Sequence, residues 1–303
     1  MALSTVQYNC MLSSLLPDLD LSESLANLNI TGLSLDSRLV KPGHLFFAVP
    51  GFLQDGRDYI HSSLQSGAEI VLYQPDKKLL PDNERIVPIA NLNQKISEIS
   101  GRFYSYPSKK LALTGITGTN GKTTCTQLLA HLLSFVNGSV GVIGTLGCGS
   151  ITAKKTDLKT KGMTTPNPID IQSILADFVA SNINQAVMEV SSHGISQFRI
   201  NSLLFETAVF TNLSHDHLDY HGNLENYSKV KKELFSMPGL KNAVINIDDT
   251  FGSRIAEDLS LSINKISYSL VNPEASIFAE EINISITGFT AKISSPWGQG
   301  ELK

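Results

Sequence analysis

Apolar and polar positions set a rhythm of short strands and helices in the first third of the chain. Apolar runs at Ile30–Leu35 and His44–Val49 predict strands, and Leu92–Tyr104 places apolar side chains at helical spacing. The polar, proline-broken segment at 106–110 interrupts this rhythm. We therefore predict a small α/β domain over residues 1–108.

From Leu111 onward, apolar strands alternate with segments of helical spacing. Leu111–Ile116, Ala186–Val190 and Thr207–Asn212 are such strands, and this order is typical of a parallel sheet with helices on both faces. From Ile277 the chain alternates apolar and polar residues as antiparallel strands do. The sequence thus predicts an α/β protein whose second domain, residues 109–303, is a mostly parallel sheet flanked by helices, with a short antiparallel β segment at its C-terminal end.

Composition narrows the class of protein. The 303 residues are 42% hydrophobic, and 28 acidic against 24 basic side chains give a formal net charge of −4, which disfavours a protein that coats nucleic acid. The three cysteines lack the spacing of a disulfide framework or a zinc ribbon. No run reaches the about 20 apolar residues of a membrane helix, and no signal-peptide pattern is present. We expect a cytoplasmic protein without nucleic-acid or membrane partners.

A glycine-containing loop lies between the strand at Leu111–Ile116 and the following helix. Its sequence, TGTNGKTT from Thr117 to Thr124, would aim backbone N–H groups and the positive end of a helix at an anion. Lysine in this position reaches the terminal phosphates of a nucleotide, and the next hydroxyl can bind Mg²⁺. The sheet is therefore predicted to be of P-loop type. The candidate ATP-binding residues are Gly118, Thr119, Asn120, Gly121, Lys122, Thr123 and Thr124.

Two further segments follow apolar strands and carry possible metal ligands. Glu189 closes one strand, at the sheet edge where α/β proteins bind ligands, so it is a candidate second ligand for a metal on Thr123. The other segment, HDHLDYH at 215–221, resembles the histidine pattern of a two-zinc hydrolase, although Tyr220 shifts the last histidine out of register. The phosphate loop and the strand-end glutamate favour Mg²⁺–ATP chemistry, although Mg²⁺ prefers oxygen ligands and a histidine ligand is unusual for it. A zinc-dependent hydrolase is the remote alternative.

Lys231 interrupts the apolar stripe of the next predicted helix. Leu224, Tyr227, Lys231 and Leu234 lie on one face of that helix, whereas Lys229 and Lys232 point elsewhere. The simple interpretation is a lysine that extends its charged end to water. The alternative is a desolvated amine with a lowered pKa, able to react with CO₂ and to become an oxygen ligand.

These motifs resemble the Mur ligase family, the ATP-dependent amide ligases of peptidoglycan precursor synthesis. MEVSSHG at 188–194, NLSHDHLDYHG at 212–222 and the Tyr-x-x-Val-Lys of the Lys231 helix are similar to the branch that adds the third amino acid. DSR at 36–38 and KPGHLFFA at 41–48 resemble its uridine-binding domain, which the first domain is then expected to be. The glycine at position 118 rather than 116 departs from ordinary P-loop kinases and fits this family and the related folylpolyglutamate synthetases.

The resemblance also implies a role for each matching residue. Thr123 and Glu189 would hold one Mg²⁺ at the ATP phosphates, and Glu189, His217 and a CO₂-derived carbamate on Lys231 would hold a second. Catalytic roles would then belong to Lys122, Lys231, Glu189 and His217. UDP-N-acetylmuramoyl-L-alanyl-D-glutamate would be bound by Thr164, Thr165, Ser191, Gln197 and Arg199, with Leu35 and Ser37 at uracil.

Family resemblance leaves three questions open. Such ligases carry a third, C-terminal domain that selects the incoming amino acid, and we expect that this 303-residue chain lacks it and is inactive alone, a substrate-binding fragment without turnover. The expected amino acid is meso-diaminopimelate on family frequency, with L-lysine as the alternative. We further expect a monomer.

Overall fold

The computed structural model describes residues 7–51, 54–75, 83–160, 162–286 and 288–303. The strands are β1 (Cys10–Met11), β2 (Asn29–Ile30), β3 (Gly32–Ser34), β4 (His44–Ala48), β5 (Ala68–Tyr73), β6 (Ile86–Pro88), β7 (Ala112–Thr117), β8 (Val140–Gly144), β9 (Gly147–Thr152), β10 (Lys155–Lys159), β11 (Gln185–Glu189), β12 (Thr207–Phe210), β13 (Asn242–Asn246), β14 (Asn264–Ser269), β15 (Ile277–Ser285), β16 (Gly288–Ser295) and β17 (Gly298–Leu302). The α-helices are α1 (Leu12–Leu15), α2 (Glu23–Ala26), α3 (Ile60–Gln65), α4 (Leu92–Phe103), α5 (Lys122–Asn137), α6 (Pro168–Ala180), α7 (Ser192–Ser196), α8 (Leu218–His221), α9 (Leu224–Lys232) and α10 (Thr250–Asp258).

The chain forms two compact units that divide between Lys110 and Leu111. The first unit also contains the later segments Pro166–Ile183 and Ser196–Leu203, so it includes α6. The strand–helix rhythm gives no sign of this, because α6 has the same apolar periodicity as the helices of the second unit. The functional boundary between residues 108 and 109 stays a prediction.

The first unit is built on the parallel sheet β3-β4-β5-β6. Successive side chains of a strand point to opposite faces of the sheet, and here both faces are buried. Leu45 and Phe47 pack into an apolar cluster with α1 and α4, while Phe46 and Ala48 pack into a second cluster with α3. The strand predicted at Ile30–Leu35 is divided, because β2 pairs with β1 and β3 pairs with β4.

The second unit contains an eleven-stranded sheet in the described part of the chain, with the order β10-β9-β8-β11-β7-β12-β13-β14-β15-β16-β17. Its strands from β8 to β15 pair in parallel, and both ends of the sheet are antiparallel. The α/β fold class is therefore confirmed, including the antiparallel segment at the C-terminal end. The antiparallel strands β9 and β10 at the other edge were not predicted.

Strand register places three functional segments together at the carboxyl ends of the central parallel strands. Glu189 at the end of β11 is opposite Ile116 of β7, and Phe210 at the end of β12 is opposite Thr117 of β7. The loops after β7, β11 and β12 consequently start side by side, where parallel sheets bind ligands. None of the helices in the described ranges has the length and apolar character needed to cross a membrane.

Candidate functional site

The phosphate loop (Thr117–Thr124) joins the central strand β7 to the N-terminus of α5. Gly121 precedes the helix with φ +83°, a left-handed conformation that favours glycine. Gly118 has φ +152°, and a Cβ there would overlap the hydroxyl of Thr211. The first turn of α5 leaves backbone N–H groups without intrahelical acceptors, which makes this end of the helix suitable for an anion. The loop lies between β7 and α5, as the sequence predicted, and α5 begins at Lys122.

Two lysines converge on one carbonyl of this loop. Lys122 Nζ donates to the Gly118 oxygen at 2.9 Å and to the Thr119 oxygen at 2.7 Å, and Lys231 Nζ donates to the same Gly118 oxygen at 2.8 Å. Burial lowers the pKa of Lys122, while Glu189 and Asp216 oppose this decrease. The loop's own carbonyls therefore hold the side chain of Lys122.

Lys231 is desolvated, as the second interpretation of its helix position predicted. Its side chain is 1% exposed, and its Nζ lies 4.4 Å from the centre of the Tyr227 ring, one turn earlier on α9. Burial, together with the charge of Lys122, lowers the pKa of Lys231 to about 7. The amine is thus substantially neutral near neutral pH. In contrast, Lys229 and Lys232 form surface ion pairs with Glu225 and Asp258.

Glu189 is a fully buried carboxylate held by two threonines. Thr123 Oγ1 donates to Glu189 Oε2 at 2.8 Å. Thr145 donates to the same carboxylate twice, from its backbone N to Oε1 at 2.8 Å and from its hydroxyl to Oε2 at 3.1 Å. Glu189 and Thr123 are therefore adjacent, and their oxygen atoms are the ligand type that Mg²⁺ prefers. Thr145, which begins the turn after β8, was not predicted and carries no recognisable sequence signal.

The histidines of residues 215–221 do not form a zinc site in the described residues, where no group of three or more His, Cys, Asp or Glu side chains could hold a metal. His217 and His221 instead pack around His193, with ring centres 4.9 and 5.7 Å from it. His221 Nε2 is hydrogen-bonded to Ser192 Oγ at 2.9 Å, and His215 is exposed. His217 also lies beside Tyr227, at 6.3 Å between ring centres. The geometry gives no support to the hydrolase alternative.

The residues assigned to the peptide substrate fall into both units. In the second unit, Thr165 Oγ1 donates to the Glu189 carbonyl and accepts from Ser191 N, each at 3.0 Å, and the Thr164 hydroxyl lies 3.0 Å from that of Thr145. In the first unit, Arg199 Nε donates to Gln197 Oε1 at 3.1 Å. Thr164, Thr165 and Ser191 are therefore close to Glu189.

The residues assigned to uracil lie in the first unit. Ser37 begins a 3-10 turn, Ser37–Leu39, whose N-cap is Asp36, and Leu35 packs against the apolar cluster that includes Leu45. Asp36 accepts from the backbone N of Arg38 at 3.0 Å and pairs with its guanidinium. The turn is therefore built by the Asp-Ser-Arg motif.

Sequence reasoning missed the segment that follows β12. Thr211, Asn212 and Ser214 all bond to the phosphate loop, as at Thr119 N, which donates to the Asn212 carbonyl at 2.8 Å. Asp216 is the carboxylate whose charge opposes the decrease in pKa of both Lys122 and Lys231. These residues lie beside the histidines in the sequence, so proximity to that motif was the available signal.

Comparison with known proteins matches both parts of the chain to families. Residues 116–303 match the family described as "Mur ligase middle domain", and residues 29–104 match "Mur ligase family, catalytic domain". The chain is 43% identical over 283 residues to a Pseudomonas putida protein and 39% identical over 297 residues to a Vibrio vulnificus protein. Both are named "UDP-N-acetylmuramoyl-L-alanyl-D-glutamate--2,6-diaminopimelate ligase". The matches cover 90% and 95% of this chain, which spans 56% and 58% of those relatives.

Solved structures give the same grouping. A structure titled as that diaminopimelate ligase superimposes with a TM-score of 0.84 at 29% identity, over 97% of this chain and 59% of the other. A folylpolyglutamate synthase from Mycobacterium tuberculosis has a TM-score of 0.51 at 16% identity and covers 68% of this chain and 52% of the other. The second likeness shows a shared fold only.

Proposed function

This chain belongs to the Mur ligase family, and we propose that it supplies the ATP-binding and UDP-muramoyl-peptide-binding parts of a ligase that adds meso-diaminopimelate to UDP-N-acetylmuramoyl-L-alanyl-D-glutamate. The amino acid is inferred from the names of the relatives. L-Lysine is the alternative, because the chain spans only 56% of those proteins and no residue described here selects between the two.

One observation carries the proposal. The phosphate loop, the fully buried Glu189 and the desolvated Lys231 lie at the same end of the sheet, connected by the Thr123–Glu189 hydrogen bond and by the shared Gly118 carbonyl. A structural glycine turn does not require a half-buried lysine, a buried lysine and a buried carboxylate side by side. Enzymes that transfer phosphoryl groups do, because charge has to be placed around the migrating group.

In the proposed reaction, an oxygen of the D-glutamyl carboxylate attacks the γ-phosphorus of ATP, and the bond to the leaving ADP oxygen breaks. The resulting acyl phosphate is attacked at its carbonyl carbon by the amino-acid amine. The amide bond forms, phosphate leaves with the bonding electron pair, and the amine loses a proton. Lys122 would leave its loop carbonyls and follow the charge on the transferred phosphoryl group, while the N–H groups at the start of α5 bind the ADP phosphates.

Magnesium fits the residues present. Thr123 and Glu189 would hold the ion at the ATP phosphates, and Glu189, His217 and a carbamylated Lys231 would hold a second, while Thr145 orients the Glu189 carboxylate. When bound, Mg²⁺ neutralises negative charge on the phosphate oxygens. The residues themselves orient the carboxylate and keep water away from it, because Glu189 has no exposed surface.

Carbamylation of Lys231 is part of the proposal, and the environment of its amine supports it. The neutral Nζ attacks the carbon of CO₂, an N–C bond forms, and one amine proton is released to solvent. The remaining N–H can keep its hydrogen bond to the Gly118 oxygen. The product is an anion next to Lys122, so the repulsion by Lys122 that lowers the pKa of the Lys231 amine is replaced by attraction.

Substrate contacts are proposed at Thr164, Thr165, Ser191, Gln197 and Arg199, with uracil at Leu35 and Ser37. Thr164 and Thr165 bond to Thr145 and to the Glu189 backbone, so a substrate held there would lie beside the reacting phosphate. We further propose that the protein acts as a monomer in the cytoplasm, where nucleotide-activated precursors and ATP are available.

Nucleotide binding by this chain tests the proposal directly. Titration with ADP and Mg²⁺ in a calorimeter should give one site, and Lys122→Ala should weaken it by at least about tenfold, since a charge-assisted contact to phosphate is removed. Lys241→Ala is the matched control, because Lys241 is an exposed lysine of the same unit paired with Glu206. Unchanged ADP affinity in Lys122→Ala would contradict the assignment.

Turnover in the natural protein that contains this chain identifies the amino acid. ADP release is compared with UDP-N-acetylmuramoyl-L-alanyl-D-glutamate plus diaminopimelate, plus L-lysine, or without an amino acid. Release that requires diaminopimelate supports the proposal, and release that requires lysine selects the alternative. ADP release without either amino acid would indicate an uncoupled ATPase. Hydrolytic activity that requires bound zinc and no ATP would instead support the zinc-dependent hydrolase.

A further inference from the structure

The side chain of Asn212 pairs with the backbone of the phosphate loop. Asn120 N donates to Asn212 Oδ1 at 3.0 Å, and Asn212 Nδ2 donates to the Asn120 carbonyl at 3.1 Å. The Asn212 carbonyl also accepts from Thr119 N at 2.8 Å. Asn212, which follows β12, therefore accepts hydrogen bonds from two consecutive N–H groups of the loop. The side-chain amide of Asn212 pairs with the backbone of Asn120 as a neighbouring strand would, because it accepts from the N–H and donates to the carbonyl of that one residue.

Asn212 is itself fixed to the sheet, so it can act as a rigid support. Its neighbour Thr211 bonds through its backbone N to the Thr117 carbonyl at 3.0 Å and through its hydroxyl to the Asn120 carbonyl at 2.6 Å. The Thr211 carbonyl accepts from Asn246 Nδ2 at 2.8 Å. The next residue, Leu213, donates its backbone N to Asp249 at 2.7 Å. The support thus extends over β12 and β13.

This pairing decides which N–H groups remain for phosphate. Those of Thr119 and Asn120 are directed at Asn212, away from any ligand in the loop. Helix α5 begins at Lys122, and its first hydrogen bond runs from Cys125 N to the Gly121 carbonyl at 2.9 Å. The N–H groups before Cys125 therefore have no acceptor within the helix.

We propose that Asn212 is a positioning residue that holds the short phosphate loop open by binding Thr119 and Asn120, and that phosphate is bound by the N–H groups of residues 121–124 rather than by those of Thr119 and Asn120. This inference rests on the proposed function for the identity of the anion. Asparagine is required at this position. An aspartate side chain can accept from Asn120 N but cannot donate to the Asn120 carbonyl, and an alanine side chain can neither accept nor donate.

Hydrogen exchange tests the positioning role without any nucleotide. Exchange of the Thr119 and Asn120 amides is followed by NMR in the 303-residue chain, in Asn212→Ala and in Asn212→Asp. Asn212→Ala should accelerate exchange of the Asn120 amide at least about tenfold, because two hydrogen bonds are lost. Asn212→Asp keeps the volume and the acceptor, so the expected acceleration is smaller, about threefold, and this variant guards against misfolding.

Asn242→Ala is the matched control, because Asn242 lies at the opposite end of the sheet, at the start of β13, and bonds there to Asn264 at 3.1 Å. It should leave exchange in the loop unchanged. Loop exchange within twofold of wild type in both Asn212 variants would overturn the proposal. So would acceleration that is equal throughout the second unit, since that reports a general loss of stability.

Nucleotide titration then connects the loop to the ligand. ADP affinity should fall at least about fivefold in Asn212→Ala and remain unchanged in Asn242→Ala. On addition of ADP to wild type, the amide resonances of residues 121–124 should shift strongly, whereas those of residues 119 and 120 should move little. Strong shifts at 119 and 120 would overturn the assignment of donors. If wild type binds no ADP while the exchange result holds, the proposed function fails and the support of the loop by Asn212 stands.

Discussion

Replacing Lys231 with methionine should stabilise the protein near neutral pH while it removes the proposed carbamate. The native side chain is 1% exposed and the pKa of its amine is about 7, against 10.5 for an ordinary lysine. At pH 7 the unfolded chain carries a full positive charge here, and the folded chain has to lose a proton or bury the charge. Methionine has a similar length, and because it carries no charge it needs neither to lose a proton nor to bury a charge on folding.

The size of the effect follows from the two pKa values. The gap between 10.5 and about 7 corresponds to a cost of about 4 kcal/mol for folding at pH 7. Methionine loses the hydrogen bond to the Gly118 oxygen and the contact with the Tyr227 ring, together about 2 kcal/mol. Lys122 still donates to that oxygen, so it is not left without a partner. The expected gain is about 2 kcal/mol at pH 7.

The gain should disappear as the pH rises. Between pH 7 and 10.5 the unfolded chain binds more protons at Lys231 than the folded chain does, so the stability of the wild type increases with pH in this window. Lys231→Met lacks this increase. At pH 10 the variant should be no more stable than the wild type.

Urea unfolding in CO₂-free buffer at pH 7 and pH 10 measures the difference. The control is Lys229→Met on the same helix, because Lys229 is exposed and pairs with Glu225 at the surface, and it should change stability by less than about 0.5 kcal/mol. A Lys231→Met protein that is less stable than wild type at pH 7 would refute the reasoning. A gain that is the same at both pH values would do so as well.

Three other perturbations test the remaining parts of the site. Gly118→Ala should lower the free energy of unfolding by about 2 kcal/mol or more, because its Cβ would overlap a threonine hydroxyl; Gly138→Ala, at φ +81° with nothing within 4 Å, should cost only about 1 kcal/mol in the same denaturation assay. Glu189→Gln should weaken the ADP affinity measured by calorimetry about tenfold when Mg²⁺ is present and leave the affinity without metal unchanged. The control Glu206→Gln should change neither of these two affinities. Burial, with the neighbouring charges of other histidines and Lys231, lowers the pKa of His221, so the melting temperature should fall as the pH drops below 6.5 and His221→Gln should reduce that fall; an identical pH dependence in the variant would count against it.

Local patterns were sufficient to predict most elements and the chemical residues on them. The helix predicted at Leu92–Tyr104 is α4 at Leu92–Phe103, because its apolar spacing matches the face that packs in the core. The spacing of glycine and lysine predicted the phosphate loop. The apolar run before Glu189 predicted that this residue lies at the carboxyl end of a parallel strand. The stripe on α9 offered a buried Lys231 as one of two interpretations, and the structure agrees with that one. These properties depend on residues a few positions apart.

Tertiary structure alone decided which of these residues meet. Lys122 and Lys231 share the Gly118 carbonyl although 109 positions separate them in the sequence, and the charge of Lys122 lowers the pKa of Lys231 further than burial alone. Asn212 pairs with Asn120, 92 residues earlier, because β12 lies beside β7 in a fixed register. No spacing along the chain encodes which strands are neighbours in a sheet. The sequence by itself therefore determined the chemical groups of this protein, and the strand order determined the environment that makes them a site.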